Sequence, residues 1–327
     1  MKILKKLTAM IVLAALLVVG TGVEKVQAAP AGEIHGVWIS YLDWQTFLKG
    51  KTQDVFTATF SAMCDQVLVN GGNTVIVHVR SHNDAVYPSA IYPWSTTMLN
   101  GNPGYDPLSI MITVAHSKGL QFHAWINPYG YRNGAIAGNP ALATQQNIVA
   151  GVAEICQKYP VDGIHFDDYF PPLGAPALNA MVASVHQTTA ASGKVFGISP
   201  QGNVENNIAM GADVYTWLST PGYIDYIAPQ IYWTDNYGAA GNVTMFSNRL
   251  AQWSGMNKIG IPMYVGMALY RAGNRLALDP GWAIKNNNLQ SQANLAAQNG
   301  WKGYVLYSYS SLVSPAAAGE LASLRAR

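Results

Sequence analysis

The feature that most constrains this chain is an alternation. Eight short apolar runs, at 37–41, 74–79, 121–126, 163–166, 195–199, 224–231, 258–265 and 303–307, recur at intervals of roughly 30–45 residues. Segments with helical periodicity follow them, at 54–69, 107–118, 140–159, 176–192, 213–218, 245–253, 283–299 and 315–324. Several of these open with Pro, whose missing N–H costs nothing in a first helical turn. Strands that alternate with helices pair in parallel. Eight such units in 327 residues predict one α/β domain, a (β/α)8 TIM barrel. A doubly wound open sheet is the alternative architecture. The stretches 82–105, 232–243 and 267–282 are longer than ordinary connections and rich in Gly and aromatic residues. In a barrel such long βα loops build the binding face at the strand C-termini.

The first 28 residues stand apart from this pattern. Lys2, Lys5 and Lys6 precede an apolar run from Leu7 to Val19, and Val26-Gln27-Ala28 has the small residues of a cleavage site. Residues 1–28 therefore read as a secretory signal peptide and 29–327 as the barrel, a protein expected to be secreted and associated with the cell envelope. Four of the 19 basic residues and one of the 17 acidic residues lie in that leader, so the remainder is close to neutral. A neutral chain with 11% charged residues has no electrostatic footprint for nucleic acid. No second apolar run is long enough to span a membrane after signal cleavage. Two cysteines cannot make a disulfide scaffold or a zinc cluster. Cys64 and Cys156 fall on the first and third predicted helices, too far apart to bridge. Oligomeric state is not legible.

The strands end in the wrong residues for a purely structural barrel. Period two places His78 with Arg80, His123 with Trp125 and Asn127, His165 with Asp167 and Tyr169, and Gln230 with Tyr232, each set on one face. If those faces point inward, a ring of polar and aromatic groups crowns the barrel. Carboxylates are scarce. Asp43, Asp84 and Asp235 follow the first, second and sixth strands, and Glu205 lies on the loop after the fifth. The outstanding pair is Asp167-Asp168, which ends the fourth strand among Phe166, Tyr169 and Phe170. Two adjacent carboxylates in an apolar setting repel, so one should hold its proton and serve as an acid. His78, His123, His165 and Asp167 are also candidate metal ligands, but the HxH pair of barrel metallohydrolases is missing from the first strand. No metal and no cofactor are expected. A GxSxG elbow, a P-loop and a GxGxxG fingerprint are absent as well.

The motifs HGVWISYLDW, DAVYPS with PWS, YDPL, HAWINPY, DGIHFDDYF, FGISP and IDYIAPQIYW occur in that order between Gly36 and Leu312. Together they resemble the glycosyl-hydrolase-like family of bacterial envelope proteins, the family-10-like glycosylhydrolases. That resemblance implies a (β/α)8 barrel and a glycoside hydrolase that cleaves peptidoglycan glycan strands, particularly strands stripped of stem peptides. Two positions depart from the family pattern: His78 stands where Gln is usual before Val-Arg, and Gln201 where Phe is usual after Ile-Ser-Pro. Phe166-Asp167-Asp168 is also similar to the strand end of O-GlcNAc-removing hexosaminidases, whereas the glutamate of the chitinase motif DGxDxDxE is replaced here by Tyr169. By that similarity Asp167 polarises the substrate's N-acetyl group, which attacks C1, and Asp168 protonates the leaving oxygen. Such substrate assistance is a known exception to the two-carboxylate rule.

The expected substrate is thus an N-acetylated bacterial wall polysaccharide. Trp38, Trp125, Tyr169, Tyr232 and Trp233 offer flat faces for carbohydrate binding, while Arg80, His123, Asn127 and Gln230 hydrogen-bond hydroxyls or acetamides. His78, Asp84 and His165 complete the expected substrate-binding set. Two alternatives remain: a conventional glycosidase pairing Asp167 with Asp84, Glu205 or Asp235, and a non-catalytic glycan-binding barrel.

Overall fold

A computed structural model describes residues 32–327, so the expected signal peptide at 1–28 lies outside the described residues. Eight parallel strands run β1 Ile34–Ile39, β2 Thr74–Arg80, β3 Gln121–Ile126, β4 Gly163–Asp167, β5 Val195–Ser199, β6 Tyr226–Ile227, β7 Val265–Met267 and β8 Gly303–Tyr307. Their order in the sheet is β6-β5-β4-β3-β2-β1-β8-β7, so every strand lies beside its neighbours in sequence and β1 pairs with β8 from Ile34↔Gly303 to Trp38↔Tyr307. Parallel bridges Ile227↔Met263 and Gln230↔Gly266 join the two remaining ends and close the ring. The eight expected strands are all present. The sixth is shorter than its apolar run and the seventh is displaced from its run, 258–265, which it overlaps only at Val265; Pro229 and Pro262, which have no N–H, interrupt the ladder in both runs. Their carbonyls still accept, Pro262 from the Ile227 N–H and Pro229 from the Gly266 N–H.

The main helices are α1 Gln53–Val69, α2 Pro107–Ser117, α3 Gln145–Lys158, α4 Ala175–Ala191, α5 Val214–Ser219, α6 Met245–Met256, α7 Asn288–Gln298 and α8 Ala318–Arg325. Local chemistry sets their starts. Asp106 caps α2 ahead of Pro107, and Thr144 caps α3. The expected start of α3 at Pro140 belongs instead to a separate 3-10 turn, Pro140–Leu142. Cys64 on α1 and Cys156 on α3 are free, buried thiols. No described helix is long and apolar enough to cross a membrane.

Period two divides the strand residues between two cores. Val75, Val77, Ala124, Ile164 and Phe166 face outward under the helices. Ile34, Trp38, Ile76, Trp125, Tyr226, Ala228, Tyr264 and Val305 fill the lumen. Space for the large lumen groups comes from glycines. A Cβ on Gly197 would lie 2.1 Å from the Tyr226 ring, and one on Gly163 would lie 2.9 Å from the His123 ring. The glycines of FGISP and DGIHF are therefore packing requirements.

Candidate active site

Above the aromatic layer, at the strand C-termini, a pocket of about 150 Å³ is lined by side chains from all eight strands or the loops that follow them. Asp167, the last residue of β4, lines it and is 4% exposed. Its Oδ1 accepts from the Asp168 backbone N–H at 2.8 Å and from Gln230 Nε2 at 3.1 Å. Gln230 also donates to the Ser199 carbonyl at 2.9 Å, which fixes its amide between β4 and β5. Asp168 is half-buried beside Asp167 but does not line the pocket. Burial and the Asp167 charge push Asp168 well above the usual carboxylate range. Burial raises Asp167 too, although hydrogen bonds from Asp168 and Gln230 and the Arg132 charge oppose it. The repulsion within the pair falls on Asp168, the member that favours the protonated form.

Below Asp167 lies a hydrogen-bonded chain. Trp38 Nε1 donates to His165 Nε2 at 3.1 Å, which leaves the proton of His165 on Nδ1, 2.8 Å from the Tyr226 hydroxyl. That hydroxyl then donates to His123 Nδ1 at 2.9 Å. Ser199 Oγ, a pocket residue, also reaches His165 Nε2 at 3.0 Å. Burial drives His165 well below its ordinary value and His123 down to about 4. Both are neutral supports. His78 is treated similarly: Nδ1 accepts from the Tyr41 N–H, Nε2 donates to Asn127 Oδ1, and the ring stacks on Trp125 with centroids 3.5 Å apart. Burial lowers its pKa as well. Each imidazole thus spends its lone pair within the protein. Among the described residues no group of three His, Cys, Asp or Glu is placed to hold a metal.

Of the expected site residues, Trp38, His78, Trp125, Asp167, Tyr169, Gln230 and Tyr232 line one pocket. The others do not, for separable reasons. Arg80 follows a register slip between His78 and Arg80, so it leaves the inward face and packs over the Tyr92 ring at 3.5 Å. His123 and His165 are inward but one layer too deep, fully buried against Tyr226. Asn127 is consumed by His78 and the Ser81 carbonyl. Trp233 packs over Gly202, where an added Cβ would sit 2.8 Å from the indole. Asp84 stays in the β2 loop outside the lining, with Oδ1 buried and unpartnered.

The remaining carboxylates have structural work. Asp235 accepts from the Ser247 backbone and hydroxyl at the start of α6, Glu205 pairs with Arg249 and Gln252, and Asp43 joins Ser40 to Ser310. Tyr41, Arg132, Ser199, Tyr270 and Tyr307 also line the pocket and were not foreseen. Arg132 belongs to a hairpin, Tyr131–Arg132 paired with Ala135–Ile136, whose Asn133-Gly134 turn has positive φ at both residues. Asn-Gly is the strongest short-range hairpin signal, so this element was readable. Tyr232, Tyr270 and Tyr307 meet ring to ring at 5.8–6.2 Å and form one wall.

Solved structures with this shape include the PgaB (BpsB) glycoside hydrolase domain from Bordetella bronchiseptica, with a TM-score of 0.60 and 12% identity over 90% of this chain and 98% of that one. A class V chitinase from Pseudomonas fluorescens Pf-5 has a TM-score of 0.57 and 13% identity over 90% and 99%. At such identities they establish the fold, a TIM barrel. Sequence relatives are closer. Glycosyl hydrolase YngK of Bacillus subtilis is 30% identical over 82% of this chain and 67% of its own length. Glycosyl hydrolase DigH of Escherichia coli K12 is 28% identical over 80% and 79%. The family model for glycosyl hydrolase-like 10 matches residues 33–139 and 175–284, which span both sides of the Asp167 strand. The motifs and the barrel they build agree with these matches: the chain is a glycoside hydrolase barrel of the glycosyl hydrolase-like 10 family.

Proposed function

We propose that this barrel is a secreted enzyme that cleaves N-acetylated bacterial wall glycan, in particular peptide-free strands, by substrate-assisted hydrolysis. The observation that carries the reading is the Asp167–Asp168 pair. One carboxylate is oriented into an aromatic-walled pocket by two N–H donors, and its neighbour is kept protonated by burial and repulsion. Those are the two states the chemistry needs. Asp167, ionised, accepts the acetamide N–H and steers the acetyl oxygen onto C1, forming a cyclic intermediate while the glycosidic C–O bond breaks. Asp168 gives its proton to the departing oxygen, then takes one from the water that opens the ring. Retention of anomeric configuration results.

Two of the other candidate carboxylates support this choice over a conventional pair, since Glu205 is held by Arg249 and Gln252 and Asp235 by Ser247, whereas Asp168 directly follows Asp167. Trp38, Trp125 and the tyrosine wall supply the flat surfaces a sugar ring needs. Curated relatives named glycosyl hydrolases support hydrolysis over binding alone. The test is mass-spectrometric product analysis on peptide-free wall glycan. New reducing ends at N-acetylated residues are expected. Binding without release of reducing ends would instead make this a glycan-binding barrel.

A further inference from the structure

Arg132 is the only cationic residue among those that line the pocket, apart from the neutral His78. It is held there by rings. Its guanidinium lies over Tyr41 at 4.2 Å and over Tyr169 at 4.4 Å. Among the described residues no hydrogen bond or ion pair takes its donors, and Nε is buried without a partner. Two other arginines, by contrast, spend donors within the protein: Arg249 on Glu205 and Gln252, and Arg325 on Asn70. Arg132 is therefore positioned by apolar contact with its polar capacity unspent.

Its charge acts through space on both members of the acid pair, without an ion pair to either. Asp167 has its own donors, Asp168 and Gln230, on the oxygen that faces them. A guanidinium offers a planar fork of N–H donors, and the acceptor that satisfies it best is a carboxylate. A sugar hydroxyl takes one bond and leaves the cation's charge unanswered.

We propose that Arg132 binds a carboxylate carried by the sugar in the pocket, so that the site selects acid-bearing glycan residues over neutral or blocked ones. This rests on the wall-glycan reading above. In such glycan the acid is the lactyl group of alternate sugars, free once peptide has been removed. A peptide-linked strand carries an amide there, with no charge to meet the arginine.

The experiment compares peptide-free wall-glycan oligosaccharides bearing free lactyl carboxylates with the same oligosaccharides converted to methyl esters. The wild type is expected to prefer the acid. Arg132→Gln should shrink the acid-to-ester ratio of kcat/KM by roughly 10- to 100-fold, the size of a lost charge-assisted hydrogen bond. A wild type that ignores esterification overturns the proposal. So does an Arg132→Gln variant that slows both substrates equally, since its cation would then act on the acid pair. Calorimetric binding to Asp168→Asn separates this from the hydrolysis reading. If no glycan is cleaved by the wild type but the acid still binds tighter than the ester through Arg132, hydrolysis fails and the carboxylate site stands. If neither form binds, the carboxylate site is wrong.

Discussion

The side-chain amide of Gln230 donates to Asp167 Oδ1 at 3.1 Å, tying the end of the sixth barrel strand to the end of the fourth. The two residues are 63 positions apart, and the same amide nitrogen also meets the Ser199 carbonyl of the strand between them. Gln230 is thereby a positioning residue for the carboxylate that faces the pocket.

Replacing Gln230 by Leu removes a donor from a buried carboxylate and a partner from a peptide carbonyl. Losing one such bond to a charged group costs about 1–3 kcal/mol, so kcat should fall roughly 10- to 100-fold. The acid limb of the rate profile should also move upward, because the donor that helps Asp167 ionise is gone. A wild-type acid limb in Gln230→Leu would show that Asp167 does not depend on this contact.

The acid pair makes a sharper demand. With Asp167 ionised and Asp168 protonated, the pH–rate profile is bell-shaped, and its two limbs belong to the coupled pair. Asp168→Asn should abolish the alkaline limb and lower cleavage of unactivated glycan by roughly 10²- to 10⁴-fold. Much of the rate should survive on a substrate whose leaving group needs no proton. Asp167→Asn should slow both substrates, and a de-acetylated substrate should not turn over at all. Normal cleavage of the de-acetylated glycan would remove substrate assistance and return attention to Asp84, whose Oδ1 has no partner in the fold.

Periodicity carried most of the architecture and part of the site. Alternation at period two assigns a face, and it placed His78, Trp125, Asp167 and Gln230 on the faces that line the pocket. It does not assign depth along the barrel axis, which is why His123 and His165 were expected at the surface of the site but lie beneath it. Nor does it register a bulge. Arg80 leaves the inward face because the β2–β3 register slips by one residue, a property of the pairing between two strands rather than of either one. The Arg132 hairpin was legible from Asn133-Gly134, and overlooking it hid the cation of the pocket.

Three buried neutral imidazoles make stability depend on pH. Burial lowers His123 to about 4 and drives His78 and His165 well below the ordinary 6.5. The unfolded chain therefore binds more protons than the folded one as pH falls from 6.5 toward 4, and the stability these histidines contribute, complete above 6.5, is lost through that window. Asp168 acts oppositely, since its raised pKa lets the folded state hold a proton that the unfolded chain releases. Three imidazoles outnumber the two carboxyls that burial raises, so net stability falls as pH drops through that window. Denaturant midpoints measured from pH 7 to 5 should fall steeply. A flat profile would mean that the imidazoles are solvated or already protonated in the fold.

The lumen packing yields the last test. A Cβ on Gly197 would lie 2.1 Å from the Tyr226 ring, closer than any real contact, so Gly197→Ala must displace that ring. Overpacking of this kind costs about 3 kcal/mol or more, because the ring is enclosed by Tyr264, His123 and His165. Displacement also breaks the hydroxyl bridge between the two histidines. Tyr226→Leu alone is destabilising too, through a cavity and two imidazole nitrogens left without a partner. In the double variant, however, the alanine methyl occupies space the ring has vacated. Its loss of stability should therefore fall short of the sum of the single losses by at least about 1 kcal/mol. Strict additivity would show that Gly197 answers to something other than Tyr226. The glycine of FGISP would then need another explanation than the room it leaves for the aromatic floor of the site.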